Sequence, residues 1–367
     1  MHEDRPSTAP DFLLSRATGS VRTQGARATF TSAEAAVDAL RRGDAEMVVG
    51  AIPFDSDTPA ALTVPELIIR EDGPLEPHAF YRNQSLNSRV VGFDPEPEEH
   101  LRRVEAAIGT IETSKLEKVV LARAVDIEFA APIDPRLVAA RLIDLSVNRD
   151  GFIADLSPAG RPGAMLVGSS PEVLIKRQGS TVSAFPLAGS TPRRANKAAD
   201  HIASQDLLHS AKDLLEHSFV VEHLRRILEP LCSSLDIPET PQLIHTNEMW
   251  HLGTPVTGTL RDKDLTALEL AEVVHPTPAI CGTPTEAAQA LIETAETDRG
   301  FYAGTVGWCD SSGDGEYMVA IRCAEVAGDG LSARAWAGGG VVGASNAQAE
   351  LEETTAKLQT ILRALSL

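Results

Sequence analysis

The stretch GTVGWCDSSGDGEYMVAIRCAEV, residues 304–326, has the residue pattern of an antiparallel β-meander. Two strand-like runs, 303–309 and 316–326, flank the turn-forming sequence DSSGDG. A second turn at Gly328-Asp329-Gly330 leads into another strand-like run, 331–336. The pattern predicts a sheet whose consecutive strands pair antiparallel.

Within the predicted strand 316–326, simple alternation places Arg322 on the same face as Met318 and Ala320. The glycines 338–340 follow the last strand-like run and are expected to bend the chain. They do not form a phosphate-binding loop, because no Gly-Lys-Ser/Thr sequence follows them.

The segment KVVLARAVDIEF, residues 118–129, carries a strong strand pattern further upstream. Its apolar residues occupy both faces, so the strand is expected to be buried on both sides. Lys118 and Arg123 lie on opposite faces of it. Periodicity alone favours a Lys118 side chain that reaches water from the end of the strand.

The stretch LHSAKDLLEHSFVVEHLRRIL, residues 208–228, is predicted to be one helix with an apolar arc. Asp213 projects into that arc and Glu216 lies at its edge. Carboxylates are rarely buried without a partner, because desolvating a charge is costly. A cationic group should therefore face this helix, and both a basic side chain and a metal ion remain possible.

The chain closes with a predicted helix, AQAELEETTAKLQTILRALSL, residues 347–367. Glu350, Glu353 and Lys357 form a stripe beside its apolar face. Their spacing is that of ordinary i,i+3 and i,i+4 pairs, so the helix pattern alone favours surface ion pairs for them.

Composition excludes several classes of function. The 367 residues are 43% hydrophobic and 23% charged, as in an ordinary globular chain. A formal charge of −19 argues against broad nucleic-acid binding. No run approaches a membrane span, and the start MHEDRPSTAPDF lacks the pattern of a secretory signal. We therefore expect a cytoplasmic protein with reduced thiols and no zinc site, since its cysteines are scattered: Cys232, Cys281, Cys309 and Cys323.

Nine motifs follow one another in a fixed order along residues 118–358: KVVLARAV (118–125), SSPEVLIKR (169–177), PLAGSTPRR (186–194), SAKDLLEH (210–217), WHLGTPVTG (250–258), HPTPAICGTP (275–284), GTVGWCDSSGDGEYMVAIRCAEV (304–326), AGGGVVGAS (337–345) and ELEETTAKL (350–358). With this ordered set the chain resembles the chorismate-utilising enzymes, and within them the isochorismate synthases of menaquinone and siderophore pathways. GAIPFD (50–55) extends this likeness into the N-terminal part.

The resemblance implies an α/β (α+β) fold in which two large, mainly antiparallel sheets pack together with helices outside. It places the active site between the sheets. Residues 1–100 are expected to form the N-terminal part of this fold, and residues 101–367 the chorismate-binding catalytic domain.

The resemblance also implies a Mg²⁺-dependent isomerisation, in which water adds at C2 of chorismate and the C4 hydroxyl leaves. Lys118 would be the base and Glu172 the acid. Glu216 and Glu353 would hold Mg²⁺, with Glu350 nearby and acting through water. The substrate pocket would be lined by Gly189, Ser190, His251, Ala279, Arg322, Gly338 and Lys357, with the Arg322 guanidinium on the pyruvyl carboxylate.

Three other functions remain open at this stage. A salicylate synthase would form isochorismate and then eliminate pyruvate. An aminating synthase is disfavoured, because such relatives usually carry Thr where this chain has Ala279, and we expect no glutamine amidotransferase partner. A non-catalytic chorismate-binding protein is disfavoured because it would need no base and acid pair such as Lys118 and Glu172.

Overall fold

The computed structural model describes residues 9–82 and 86–367, so most of the segment used to predict the absence of a secretory signal lies outside the described residues. In the described part the chain forms 22 strands, nine α-helices and a short 3-10 helix at Ser157–Ala159. The strands are β1 (Phe12–Arg16), β2 (Gly19–Gln24), β3 (Ala28–Phe30), β4 (Met47–Ile52), β5 (Ala61–Val64), β6 (Leu67–Glu71), β7 (Ser88–Asp94), β8 (Lys118–Phe129), β9 (Gly151–Asp155), β10 (Met165–Gly168), β11 (Val173–Gln178), β12 (Thr181–Phe185), β13 (Leu187–Pro192), β14 (Cys232–Asp236), β15 (Gln242–His245), β16 (Met249–Gly253), β17 (Val256–Leu260), β18 (Gly282–Thr283), β19 (Thr305–Asp310), β20 (Gly315–Val319), β21 (Cys323–Val326) and β22 (Ser332–Val342). The helices are α1 (Ala33–Arg42), α2 (Ala79–Arg82), α3 (Pro97–Thr113), α4 (Pro135–Leu145), α5 (Lys197–His209), α6 (Ala211–Leu228), α7 (Ala267–Val274), α8 (Thr285–Ala295) and α9 (Ala347–Ala364).

The strands form two large sheets and one small sheet, which confirms the predicted fold class. The ten-stranded sheet has the order β18-β8-β22-β21-β10-β9-β1-β2-β6, with β7 also paired to β8. The nine-stranded sheet has the order β14-β17-β12-β11-β20-β19-β4-β5-β3, and the small sheet is β13-β16-β15. Neighbouring strands in the described residues pair antiparallel, as in β8 with β22 and β19 with β20.

Two layers of apolar packing hold the sheets in place. One core lies between the large sheets and includes Phe152 from the ten-stranded sheet and Met318 from the nine-stranded sheet. A second core lies under the outer face of the ten-stranded sheet, where Ile127 packs with Leu142 of α4 and Ile361 of α9. Strand β8 contributes to both cores, which confirms that it is buried on both faces.

Strands from residues 1–100 belong to both large sheets. β1, β2, β6 and β7 lie in the ten-stranded sheet, whereas β3, β4 and β5 lie in the nine-stranded sheet. The N-terminal part therefore completes the same sheets that residues 101–367 build, and the division into a catalytic domain and an N-terminal part stays a prediction.

The single strand expected at 316–326 is wrong, because the chain there forms β20 and β21, which lie in different large sheets. Arg322 interrupts the run with a left-handed φ of 52°. Pairing with β19 ends at Val319, and pairing with β10 begins at Cys323. Simple alternation therefore does not place Arg322, and this segment joins the two large sheets.

Two other local predictions also need correction. Glycines 338–340 do not bend the chain but lie inside β22, where they pair with residues 120–122 of β8. The helix expected at 208–228 begins only at Ala211, because Ser210 is its N-cap and accepts a hydrogen bond from the Asp213 N–H. Residues 208 and 209 end the preceding helix, α5.

Over residues 9–82 and 86–367, the structure shows no helix that is both long enough and apolar enough to cross a membrane.

Candidate active site

Lys118, the first residue of β8, is completely buried. The expectation that its side chain reaches water is therefore wrong, because the ammonium faces Glu216 of α6 inside the protein. The Lys118 ammonium lies 3.1 Å from Glu216 Oε1 of α6, without the angles of a hydrogen bond. Burial lowers the pKa of Lys118, although Glu216 opposes this effect. A lysine in this setting loses its proton more readily than one in water.

Glu172 precedes β11 and is only 3% exposed. Its Oε1 accepts one long hydrogen bond, 3.4 Å, from the Leu187 N–H. Burial raises the pKa of Glu172 to about 7, although Leu187, Lys118 and Arg322 favour its charged form. This carboxyl group can therefore hold a proton near neutral pH, as a general acid must.

Arg322 presents a buried guanidinium to the same region. It is 5% exposed, its Nε has no hydrogen-bond partner, and the described residues offer it no ion pair. Its Nη2 lies 3.4 Å from His251 Nε2. Burial, with Arg322 and Lys357 adding to it, holds the pKa of His251 well below its ordinary value, so that this ring stays neutral. A buried, unpaired guanidinium is a site for an anion.

A chain of polar contacts runs from β13 to α9. Ser190 Oγ donates to Glu353 Oε1 at 2.8 Å, and the same oxygen lies 2.6 Å from Lys357 Nζ. Lys357 also donates to the Gly338 carbonyl at 3.0 Å. The pair of Glu353 and Lys357 therefore has the expected helical spacing, but it is not on the surface. The side chains of the pair are only 13% and 12% exposed.

Glu216 and Glu350 meet a second lysine, Lys212 of α6. Lys212 Nζ lies 3.0 Å from Glu350 Oε1, 3.7 Å from Glu216 Oε2 and 3.7 Å from Asp213 Oδ1. The inward-facing acids of α6 thus have basic partners. A basic side chain was one of the two partners that the sequence left open, the other being a metal ion. Burial and the neighbouring Glu353 raise the pKa of Glu350 to about 7.

These groups surround one cleft, where strands of the ten-stranded and small sheets meet α6, α9 and the link between β20 and β21. Nine of the sequence-predicted site residues line it directly: Glu172, Gly189, Ser190, Glu216, His251, Ala279, Arg322, Gly338 and Lys357. The other three, Lys118, Glu350 and Glu353, contact residues of the cleft or the Lys212 ammonium. Their individual roles remain predictions.

The cleft adjoins a larger cavity of about 240 Å³, with which it shares Pro171 and Arg322. Apart from the shared Arg322, the charged residues of the larger cavity are already paired, as in Arg16 with Asp150 at 2.9 Å and Arg363 with Glu248 at 3.0 Å. The smaller cleft is the candidate active site, since Glu172, with its raised pKa, lines this cleft and not the larger cavity.

Two polar residues of the site were missed from the sequence. Tyr302 lines the cleft, and its hydroxyl lies where a side chain at Gly338 would be, 2.8 Å from an ideal Cβ. Lys212 stands beside Asp213 and was available as a signal, because a lysine next to inward-facing acids is a natural counter-ion. Tyr302 follows no helical or strand pattern, so the sequence held no comparable signal for it.

The acidic groups offer only oxygen donors, which suit a hard cation such as Mg²⁺. Glu350 Oε2 is buried without a hydrogen-bond partner. Across the described ranges, no cluster of three or more His, Cys, Asp or Glu side chains is arranged as a metal site. Mg²⁺ often takes only one or two protein carboxylates together with waters and ligand oxygens. The carboxylate oxygens of this site therefore fit Mg²⁺ once the Lys212 ammonium has moved away from them.

Known proteins are similar to this chain over most of its length. The sequence matches the family described as chorismate binding enzyme over residues 55–366. A Mycobacterium tuberculosis protein provisionally named isochorismate synthase MenF is 44% identical over 364 residues, 97% of this chain and 96% of the relative. Isochorismate synthase DhbC of Bacillus subtilis is 42% identical over 338 residues, 91% of this chain and 84% of the relative. A crystal structure from Bacillus anthracis, provisionally described as a 2,3-dihydroxybenzoate-specific isochorismate synthase, DhbC, has a TM-score of 0.91 and 37% identity, covering 100% of this chain and 98% of that one.

Packed antiparallel sheets that enclose a buried lysine, a carboxyl group with a raised pKa and a buried guanidinium are typical of an enzyme that acts on a small anionic molecule. The sequence matches identify the family within this class, since they extend over nearly the whole chain. The protein belongs to the chorismate-binding enzymes.

Proposed function

We propose that the protein is an isochorismate synthase, which converts chorismate to isochorismate. The observation that carries this proposal is that one cleft is lined by Glu172, whose pKa lies near 7, and by Glu216, which contacts the buried Lys118. The relatives named isochorismate synthases support it. Ala279 in the cleft follows the hydroxylating pattern, so water rather than ammonia is the proposed nucleophile.

In this reaction Lys118 takes a proton from the attacking water as its oxygen bonds to C2. The ring double bond shifts, the C4–O bond breaks, and the proton of Glu172 leaves with the hydroxyl as water. Water is thus both consumed and released, and the reaction is an isomerisation. Arg322 would bind the pyruvyl carboxylate, because its buried guanidinium has no ion pair within the described chain and its Nε has no hydrogen-bond partner there.

Glu216 and Glu353 would hold Mg²⁺, with Glu350 acting through water. When bound, the ion would anchor and neutralise the ring carboxylate. Lys357 would keep Glu353 ionised: burial opposes ionisation, but Lys357 and Lys212 outweigh it and lower the pKa of Glu353. The four cysteines are free and buried, which supports a cytoplasmic location for this reaction.

The direct test is to incubate the purified protein with chorismate and Mg²⁺ and to separate the products by chromatography. We expect isochorismate, and no conversion when a chelator replaces Mg²⁺. Unchanged chorismate, with folded protein and Mg²⁺ present, would refute the proposal. Salicylate and pyruvate without an added lyase would identify a salicylate synthase. An aminated product that requires ammonium would identify an aminating synthase.

Gly340 offers a second test, because it leaves room for the base and a proposed metal ligand. A Cβ at this position would lie 2.0 Å from Glu216 Oε1 and 3.0 Å from Lys118 Cε. We expect Gly340→Ala to lower kcat/KM about 10- to 100-fold, since overpacking typically costs about 1–3 kcal/mol. The matched control is Gly343→Ala, whose Cβ would make an ordinary 3.7 Å contact with Ile111. Equal steady-state kinetics in the two variants would contradict the assigned geometry.

A further inference from the structure

Lys212 occupies the centre of an acidic cluster formed by Asp213, Glu216 and Glu350. Its ammonium lies within 3.0–3.7 Å of an oxygen of each. The cluster combines side chains from α6 and α9, which are more than 100 residues apart in the sequence. The position of Lys212 therefore depends on the tertiary structure and not on one helix alone.

The acidic cluster needs this ammonium when no other cation is present. Glu350 is only 2% exposed, and Lys212 is its one ion-pair partner within the described ranges. Lys118 contacts only Glu216 in this cluster, and the ion pair of Lys357 is with Glu353. Buried carboxylates without a counter-ion are strongly disfavoured. Lys212 therefore keeps the carboxylates together.

A magnesium ion bound by Glu216 could not share this place with the ammonium. Mg²⁺ sits about 2.0–2.1 Å from its oxygen ligands. The Lys212 ammonium lies 3.7 Å from Glu216 Oε2, so two cations would stand close together in a largely buried site and repel each other. One of them must move when the other binds.

We propose that metal binding in this protein is an exchange of cations: the Lys212 ammonium fills the acidic cluster until Mg²⁺ enters, and it then moves out towards solvent. The inference rests on the proposed function only for the presence of a metal site. Lys212 is the lysine that can move, because its side chain is 23% exposed and stands in the first turn of α6. Lys118 is fully enclosed and has no such path.

In this exchange, the free energy of Mg²⁺ binding is the difference between the interaction of the carboxylates with Mg²⁺ and their interaction with the Lys212 ammonium. The metal-free protein keeps its carboxylates organised, but Mg²⁺ must displace an ion pair to bind. A substrate carboxylate adds an anionic ligand to the metal and none to the lysine in its outward position. Mg²⁺ and the anionic substrate are therefore expected to bind cooperatively.

The first experiment uses the unmodified, metal-free protein and measures the acetylation of individual lysines by mass spectrometry after brief exposure to acetic anhydride. Saturating Mg²⁺ without substrate should increase the labelling of Lys212 several-fold. Lys197, which is exposed on α5, is the internal control and should not change. Unchanged or reduced labelling of Lys212 would overturn the inference.

The second experiment measures Mg²⁺ binding by calorimetry in Lys212→Met, which removes the charge and keeps the length, and in Lys212→Arg, which keeps the charge. We expect Lys212→Met to bind Mg²⁺ at least about tenfold more tightly than the unmodified protein, and Lys212→Arg to stay close to it. Equal or weaker binding in Lys212→Met would overturn the inference, as would the absence of Mg²⁺ binding in all three proteins.

Neither experiment depends on turnover, so the two proposals can fail separately. A protein that exchanges Lys212 for Mg²⁺ but leaves chorismate unchanged would refute the proposed reaction alone. A protein that forms isochorismate but binds Mg²⁺ no more tightly after Lys212→Met would refute the exchange alone. Lys212→Gln replaces Lys212→Met if the latter does not give the circular-dichroism spectrum of the folded protein.

Discussion

Replacing Lys118 with alanine is expected to lower kcat by about 10²–10⁴-fold, the usual contribution of a general base. The Mg²⁺-dependent binding of chorismate should persist, because Arg322 and the carboxylates remain. Glu216 also keeps a basic neighbour, since Lys212 lies 3.7 Å from it. The measurement is kcat by product chromatography, together with the Kd of chorismate by equilibrium dialysis.

Lys118→Arg separates a base from a simple positive charge. A guanidinium retains the charge but does not lose its proton in proteins. It should therefore be as inactive as Lys118→Ala. Lys115→Ala, which removes an exposed lysine three residues earlier, is the control and should match the unmodified enzyme. Substantial activity in either Lys118 variant would refute the assignment of Lys118 as base.

Glu172→Gln is expected to lower kcat by a similar factor of about 10²–10⁴, since glutamine has the shape of glutamic acid but no acidic proton. The side chain accepts only one long hydrogen bond, from the Leu187 N–H, so the substitution should leave the fold unchanged. Glu117→Gln changes an exposed glutamate next to Lys118 and serves as the control. Turnover in Glu172→Gln equal to that of the control would exclude Glu172 as the acid.

The pH dependence of kcat/KM, which reports the pKa values of the free enzyme, gives an independent test of the same residue. A general acid works only while protonated, and the pKa of Glu172 is about 7. Activity should therefore fall as the pH rises above about 7, approaching tenfold for each further pH unit. The residual activity of Glu172→Gln should lack this alkaline decline. The acidic limb should belong to Lys118, which must be neutral to act, and it should disappear in Lys118→Ala.

Local sequence patterns correctly predicted those elements whose apolar residues repeat with the period of a strand or a helix. The strand 118–129 and the helix that begins at Ala347 follow from apolar periodicity over a dozen residues or more. In these segments burial on one or both faces is repeated along the chain, so the pattern is visible without knowing the partner.

Local patterns failed where the chain leaves one sheet for another. The run 316–326 has the composition of a single strand, but Arg322 adopts a left-handed conformation that ends one ladder before the next begins. The glycines 338–340 had the composition of a turn, yet they serve close packing inside β22: Gly340 leaves space for Glu216 Oε1. Periodicity predicts neither feature, because both depend on contacts with elements that are distant in the sequence.

The candidate site was likewise predicted in part from the sequence and decided in part by the tertiary structure. The sequence alone required a cation near Asp213 and Glu216, because inward-facing carboxylates are costly without one. The ordered motifs indicated the family and proposed twelve site residues, nine of which line one cleft. Which cation meets the acids could not be decided from α6, since the answer involves Lys118 from a strand that begins 93 residues earlier in the sequence and Glu350 from the last helix.

The sequence by itself thus determined the antiparallel strand pattern, the presence of α6 and α9 and the need for charge compensation, since these follow from local periodicity and from the cost of burying a charge. Only the tertiary structure decided that Lys118 is enclosed and that the Arg322 guanidinium is buried with its Nε unpartnered among the described residues. It also decided that Lys212 lies among the carboxylates. Burial and ion pairing depend on elements distant in the chain, and a local pattern carries no information about which of them will meet.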